Sequence, residues 1–209
     1  MRPTELPAYC ANRIAEHLSL DESVLWFVAG GSNIPLVCEA LKMLQGKDLS
    51  ALTITLTDER FGEVGHADSN WKKLEKAGGL SSGAAMIPVL TGGSLEETAQ
   101  AFSQKVEQAL ANADFSLALL GLGADGHTAG IMPGAPEANG FAAVYEGADF
   151  TRISITPSTI AMLDLAILCS NGEEKWPQLD RLMLNLSSIE QPAQAIKAAE
   201  EYLIVSDQS

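Results

Sequence analysis

The stretch VLWFVAGGSNIPLVCEALKML, Val24–Leu44, decides the reading of the fold. Val24–Ala29 is a short apolar run rich in large and β-branched side chains, and it stops at Gly30-Gly31-Ser32-Asn33. Such a run, bounded by turn residues, reads as a buried strand. Ile34–Leu44 then reads as a helix, with Pro35 in its first turn, where a missing N–H costs little. Strand, glycine turn and helix together open a β-α-β unit.

The same alternation runs outward from this stretch. Leu52–Leu56, Ser116–Leu120, Ile153–Ile155 and Leu165–Cys169 read as further buried strands, and Tyr202–Val205 as the last. Between them, Asn70–Lys76, Ser94–Ala113, Glu173–Leu184 and Pro192–Glu201 read as helices. Ser94 and Glu97 have the spacing of a capping box, and Pro177 lies near the start of its helix. Repeated strand and helix imply right-handed crossovers and a mostly parallel central sheet with helices on both faces. The expected class is therefore α/β, a Rossmann-like three-layer sandwich. No linker, charge block or repeat divides the chain, and Gly79–Gly83 reads as a loop. One domain over residues 1–209 is expected, within reach of the usual ~100–200 residues.

Composition narrows the function. Hydrophobic residues make up 46% and charged residues 19%, the balance of a globular chain. Asp and Glu number 27 against 13 Lys and Arg, a net charge of -14. That balance argues against nucleic acid and anionic membranes as partners. If the substrate is an anion, a few of the cations must be gathered at one place. Cys10, Cys38 and Cys169 sit in apolar contexts without metal-ligand spacing, so buried reduced thiols, no metal and a cytoplasmic setting are expected. The first residues, MRPTELPAYCANRIAEHL, lack the apolar core of a secretory signal, and no run approaches the ~18 apolar residues of a membrane span. Asn185-Leu186-Ser187 is a glycosylation sequon without meaning in that setting.

In sheets of this kind, ligands sit at the carboxyl ends of the strands. The residues after each strand are therefore the informative ones. Gly30, Gly31, Ser32 and Asn33 before a helix make an anion site or, equally, a plain tight turn. Asp58-Glu59-Arg60, followed by His66, Asp68, Ser69 and Asn70, sets acids and a cation at the cleft mouth; the plainer reading is solvated loop charge. Gly121-Leu122-Gly123-Ala124-Asp125-Gly126 matches the dinucleotide fingerprint in letters only. Pro133, Gly134 and Pro136 interrupt the helix that fingerprint needs, and Glu146, 20 residues past Gly126, does not end a second strand. The loop instead presents Asp125 and His127, a fair general-base pair. Arg152 opens the Ile153–Ile155 strand and Lys175 follows Gly172-Glu173-Glu174; alone, each is an ordinary surface cation. Of the 13 cations, these two and Arg60 fall at strand-end loops.

Taken together, these loops resemble the 6-phosphogluconolactonase family, within the wider group that includes glucosamine-6-phosphate deaminases. The resemblance rests on Gly30-Gly31-Ser32 with Pro35, Asp58-Glu59-Arg60 with Ser69-Asn70, Gly121–Ala129 with Pro133-Gly134, Arg152–Thr156 and Gly172–Lys175, in the family's order. The third loop keeps the His-Thr-Ala and Pro-Gly of the lactonases' DGHTASLFPG and lacks the Asn-Glu of the deaminases' GDGHIAFNEPGSS. Three departures stand out: Gly130-Ile131-Met132 for Ser-Leu-Phe, Phe61-Gly62 for Cys/Tyr-Val-Pro, and Asn33 for a small or apolar residue.

The resemblance implies a deaminase-type α/β fold, no cofactor, and hydrolysis of a phosphorylated sugar lactone. His127 would be the general base, with Asp125 or a backbone carbonyl fixing its tautomer. Gly30, Gly31, Ser32, Arg60, Arg152 and Lys175 would hold the phosphate. Asp58 and Glu59 would orient Arg60 or bind sugar hydroxyls, and Asp58 matches the acid that moves a proton in the deaminase branch. Two alternatives stand beside this: an isomerase or deaminase with Asp58 as base, and a non-catalytic sugar-phosphate-binding protein. Trp26, Trp71 and Trp176 suit a core or an interface alike, so the oligomeric state stays unread.

Overall fold

The computed structural model describes residues 1–80 and 83–208; the Gly79–Gly83 loop therefore lies partly outside the described residues. In chain order the helices and strands are α1 (Leu6–Ser19), β1 (Val24–Val28), α2 (Ile34–Met43), β2 (Leu52–Leu56), β3 (Asp58–Arg60), α3 (Asn70–Lys76) and β4 (Ala85–Ile87). There follow α4 (Leu95–Asn112), β5 (Phe115–Gly121), β6 (Ala142–Glu146), β7 (Thr151–Ile155), α5 (Pro157–Ala161), β8 (Leu165–Ser170), α6 (Trp176–Leu182) and β9 (Glu201–Ser206).

Six strands form one sheet in the order β4-β2-β1-β5-β8-β9, and each pairing is parallel. Every residue of β1 and β8 is buried, as a strand covered on both faces requires. The chain steps from β1 out to β2 and β4, then returns to β5 on the other side of β1 and continues to β8 and β9. The direction thus reverses between β1 and β5, and right-handed crossovers on either side place helices on both faces. α1 packs beside α2 and buries Leu6, Cys10, Ala11 and Ile14. α4 opens on the capping box: Glu97 N donates to Ser94 Oγ at 3.2 Å, and Ser94 N donates to Glu97 Oε2 at 2.9 Å. Trp26 is fully buried, Trp71 and Trp176 pack partly buried against the core, and the three cysteines are buried and unpaired.

Three segments differ from the sequence expectation. The Ile153–Ile155 strand, extended to Thr151, leaves the parallel sheet for a second, antiparallel one of order β3-β7-β6. β3 follows β2 after one residue, Thr57, whose carbonyl accepts from Ile155 N at 3.0 Å, so the turning chain recruits β7. A three-residue apolar run carries no mark of which sheet it joins. Pro192–Glu201 is a 3-10 helix only to Ala198, and Glu201 already opens β9. Pro192–Ile196 are all buried, so the turn runs through the interior before the chain enters β9. Glu173–Leu184 divides into a 3-10 turn, Glu173–Lys175, and α6, because Pro177 sits in the first turn of the α-helix.

Candidate active site

The chain's reversal between β1 and β5 opens a cleft of about 370 Å³ at the carboxyl ends of β1, β2, β5 and β8. Gly30, Gly31, Ser32, Asp58, Arg60, His127, Arg152 and Lys175 all line it. Asp125 stands behind His127 rather than on the wall. Asn33, Thr57, Asn70, Asp149 and Cys169 line it too.

The Gly121–Ile131 loop is tied to itself. Gly123 N donates to His127 O at 2.9 Å, Gly126 N to Gly123 O at 3.0 Å, and Thr128 Oγ1 to Gly121 O at 2.6 Å. No helix follows Gly126, so the fingerprint letters do not make a dinucleotide site. Instead Asp125 Oδ1 sits 2.6 Å from His127 Nδ1 and accepts from the His127 amide at 3.1 Å. Burial alone would raise the Asp125 carboxyl, but the hydrogen bonds and charge of His127 outweigh it and hold the group below its ordinary value. An ionised Asp125 keeps the proton on Nδ1 and leaves the Nε2 lone pair free for a base's work. Gln178 on α6 braces the loop, donating from Nε2 to Ala124 O at 3.3 Å.

The two acids of β3 have different lives. Glu59 is fully buried and its carboxylate is fully engaged. Oε1 accepts from Arg60 N at 2.8 Å and Asn70 N at 2.6 Å, and Oε2 from Ser69 Oγ at 2.8 Å and Trp71 N at 2.9 Å. It satisfies the first amides of α3 and shores up the segment that carries Asn70. Of the two roles expected for Glu59, orienting Arg60 or meeting sugar hydroxyls, the contact present is with the Arg60 backbone amide, and the rest of the carboxylate is taken up by Ser69, Asn70 and Trp71. Asp58 lines the cleft while nearly buried; burial raises its carboxyl, and the nearby Arg60 charge only partly offsets this. It accepts from Thr57 Oγ1 at 3.2 Å and Asn70 Nδ2 at 3.4 Å. Asn70 also donates to Asp58 O at 3.0 Å, while its own buried Oδ1 has no hydrogen-bond partner among the described residues. Gly30 permits this crowding, since a Cβ there would collide with the Asn70 side chain.

Arg60 and Arg152 face each other in the β3–β7 register. Their guanidinium carbons lie 5.4 and 5.9 Å from the Phe150 ring centroid. Arg60 spends Nη1 on Asp68 O at 2.8 Å, and its buried Nε has no acceptor among the described residues. Arg152 donates to Phe150 O at 3.1 Å and to Asp149 Oδ1 at 2.7 Å. Lys175 reaches the same cleft from the 3-10 turn before α6 and forms no ion pair among the described residues. Like charges on facing strand positions repel, so three cations here favour an anionic guest. Among the described residues, no cluster of three His, Cys, Asp or Glu side chains is arranged to hold a metal. Burial pushes the Cys169 thiol up to about 11, which keeps it protonated and poorly nucleophilic.

The family model described as glucosamine-6-phosphate isomerases/6-phosphogluconolactonase matches residues 3–205. The chain belongs to this family. Within it, a 6-phosphogluconolactonase of Neisseria meningitidis serogroup B is 31% identical over 188 residues, covering 82% of this chain and 80% of that protein. One from Pseudomonas aeruginosa is 32% identical over 134 residues, 63% of this chain and 55% of that protein's length. The crystal structure of a 6-phosphogluconolactonase from Shewanella baltica superposes with a TM-score of 0.81 at 21% identity, covering 98% of this chain and 94% of that one; it establishes the shared fold.

Seen within the family, the Gly130 departure has a steric cause. A Cβ on Gly130 would lie 2.9 Å from Ser154 Cβ, 3.1 Å from Arg152 Cβ and 3.2 Å from Asp58 Cβ. The loop backbone rests directly on the β3–β7 ribbon, and Gly130 N donates to Ser154 Oγ at 3.0 Å. Sequence reasoning did not place Thr57, Asp149 or Gln178 in or behind the site, and it gave Asn70 only as part of the run after Asp58-Glu59-Arg60, without a role of its own. Asn70 carried a signal, its place after Asp58-Glu59-Arg60; Asp149 and Gln178 carried none, since only the tertiary pairing brings them near.

Proposed function

We propose that this protein hydrolyses 6-phospho-D-glucono-1,5-lactone to 6-phospho-D-gluconate, in the oxidative branch of the pentose phosphate pathway. The observation that carries this is one cleft holding an Asp-oriented imidazole together with three cations and the Gly30-Gly31-Ser32 turn. His127 Nε2 takes a proton from water as its oxygen attacks the ring carbonyl. The tetrahedral oxyanion collapses, the bond to the ring oxygen breaks, and the imidazolium returns the proton to the leaving alkoxide. Asp125, held ionised, steadies the imidazolium between these steps. Gly30, Gly31, Ser32, Arg60, Arg152 and Lys175 hold the phosphate, Arg by bidentate contacts and Lys as a point charge. Anchoring that distant group orients the carbonyl, so phosphate binding serves the chemistry. The chain works as one sugar-phosphate-binding unit, and its buried reduced thiols suit a cytoplasmic setting.

The test is a coupled assay on freshly made lactone, read against spontaneous hydrolysis. His127→Ala lowers kcat by ~10²–10⁴, the range of general-base catalysis. Wild-type turnover in that variant sinks the assignment. A second reading rests on Asp58, whose buried, raised carboxyl lines the same cleft and suits proton transfer in an isomerase or deaminase. Ammonia release from glucosamine 6-phosphate without lactone hydrolysis would favour it.

A further inference from the structure

The mouth of the cleft already holds an anion of the protein's own. β6 turns into β7 through residues 147–150, closed by Gly147 N donating to Phe150 O at 3.0 Å. At the tip of that turn, Asp149 lines the cleft, and among the described residues its side chain hydrogen-bonds only to Phe150 and Arg152. Its Oδ1 accepts from Arg152 Nη2 at 2.7 Å and from the Phe150 amide at 3.0 Å. The two partners differ sharply in exposure: the Asp149 side chain is 59% exposed and that of Arg152 only 8%. A buried guanidinium needs a counter-charge, whereas an exposed turn carboxylate can return to water at little cost. Among the described residues, Arg60, directly opposite Arg152, forms no ion pair with a carboxylate.

We propose that Asp149 is a displaceable internal ligand of Arg152, occupying the place on its guanidinium that a substrate phosphate would take and tuning the enzyme's affinity for phosphorylated sugars. This rests on the lactonase reading for its substrate, not for its geometry. A phosphate entering beside Arg60 and Arg152 meets the Asp149 carboxylate on the cation it must reach. Two anions on one guanidinium repel, so the carboxylate swings outward as the phosphate seats, and the affinity observed is the difference between the two. Asp149 thereby sets a threshold: a dianionic phosphate displaces it, and a singly charged carboxylate such as gluconate does not.

Asp149→Asn keeps the shape and the acceptor oxygen and removes the charge, so it separates competition from bracing. Calorimetry with 6-phosphogluconate should show binding tightened about three- to tenfold in Asp149→Asn. Gluconate, lacking the phosphate, should gain less. In the lactone assay KM for the phosphorylated lactone should fall by the same factor, while KM for unphosphorylated gluconolactone does not fall with it. Unchanged or weaker binding of 6-phosphogluconate overturns the proposal and makes Asp149 a brace for Arg152. Asp149→Ala distinguishes further: tightening there too supports displacement, and weakening in both variants refutes it. If wild-type protein hydrolyses no lactone yet Asp149→Asn still binds 6-phosphogluconate more tightly, the lactonase reading fails and this inference stands.

Discussion

Replacing Glu59 by Gln tests whether the buried carboxylate of β3 is a structural keystone of the cleft wall. Its two oxygens accept four hydrogen bonds, from Arg60 N, Asn70 N, Ser69 Oγ and Trp71 N, all between 2.6 and 2.9 Å. A glutamine can present only one oxygen. If its amide nitrogen takes the Oε2 place, Ser69 can reverse its hydroxyl and accept, but the Trp71 amide faces a donor. If it takes the Oε1 place, two amides do. At least one buried N–H is orphaned, at about 1–3 kcal/mol, and the charge at the start of α3 is lost, at about 0.3–1 kcal/mol. The sum is about 3 kcal/mol, and at about 2–4 °C per kcal/mol for a chain this size Tm falls by about 6–12 °C. Thermal unfolding by circular dichroism measures it, with Glu63→Gln as the control, since Glu63 is exposed and its side chain makes no hydrogen bond among the described residues. A Glu59→Gln melt that coincides with the control refutes the reasoning.

Asp58→Asn should trade activity for stability, with a definite pH signature. Burial raises the Asp58 carboxyl, so folding disfavours its ionised form. Below the ordinary carboxyl value both states are protonated and the group contributes nothing; the penalty grows as pH rises through the raised folded value and is complete above it. The variant should therefore gain stability over wild type at pH 8 and lose that gain near pH 4, measured by urea unfolding; the opposite trend would overturn it. Gly130→Ser, restoring the residue usual in the lactonases, should cost about 1–3 kcal/mol from overpacking against Ser154, Arg152 and Asp58. A melt, together with 6-phosphogluconate binding, checks this, and an unchanged Tm would show that the ribbon beneath the loop yields freely.

The parallel sheet was legible because its central strands are apolar runs cut off by turn residues. β2 and α3 occupy the residues read from sequence, Leu52–Leu56 and Asn70–Lys76, the latter capped by Ser69 Oγ accepting from Lys72 N at 3.0 Å. β3 was not legible, because Asp58-Glu59-Arg60 looks like solvated charge. Only the four donors gathered around Glu59 make its burial tolerable. β4 and β6 are short and partly exposed, so their identity as strands comes from their neighbours β2 and β7. α1 has apolar residues at helical spacing, Leu6, Cys10 and Ile14, within the segment weighed only for a secretory signal. The site residues carried by strand-end motifs were visible one loop at a time; Asp149 and Gln178 reach the site through register and packing, which no local pattern encodes.

The net charge of -14 and the gathered cations act at different ranges. Charges spread over the exterior are screened beyond about 8 Å at physiological salt, so they set the approach of an anion more than its final grip. The grip is made where water is scarce. The Arg152 side chain is 8% exposed, and Arg60, its partner in the β3–β7 register, has a buried Nε without an acceptor among the described residues. Holding two guanidinium groups together costs free energy, and the Asp149 carboxylate and Phe150 ring offset only part of it. What remains unbalanced is an attraction for a dianion that operates over a few ångströms. An acidic chain can thus hold an acidic substrate without a positive field reaching into solvent, provided its strand register keeps Arg60 opposite Arg152.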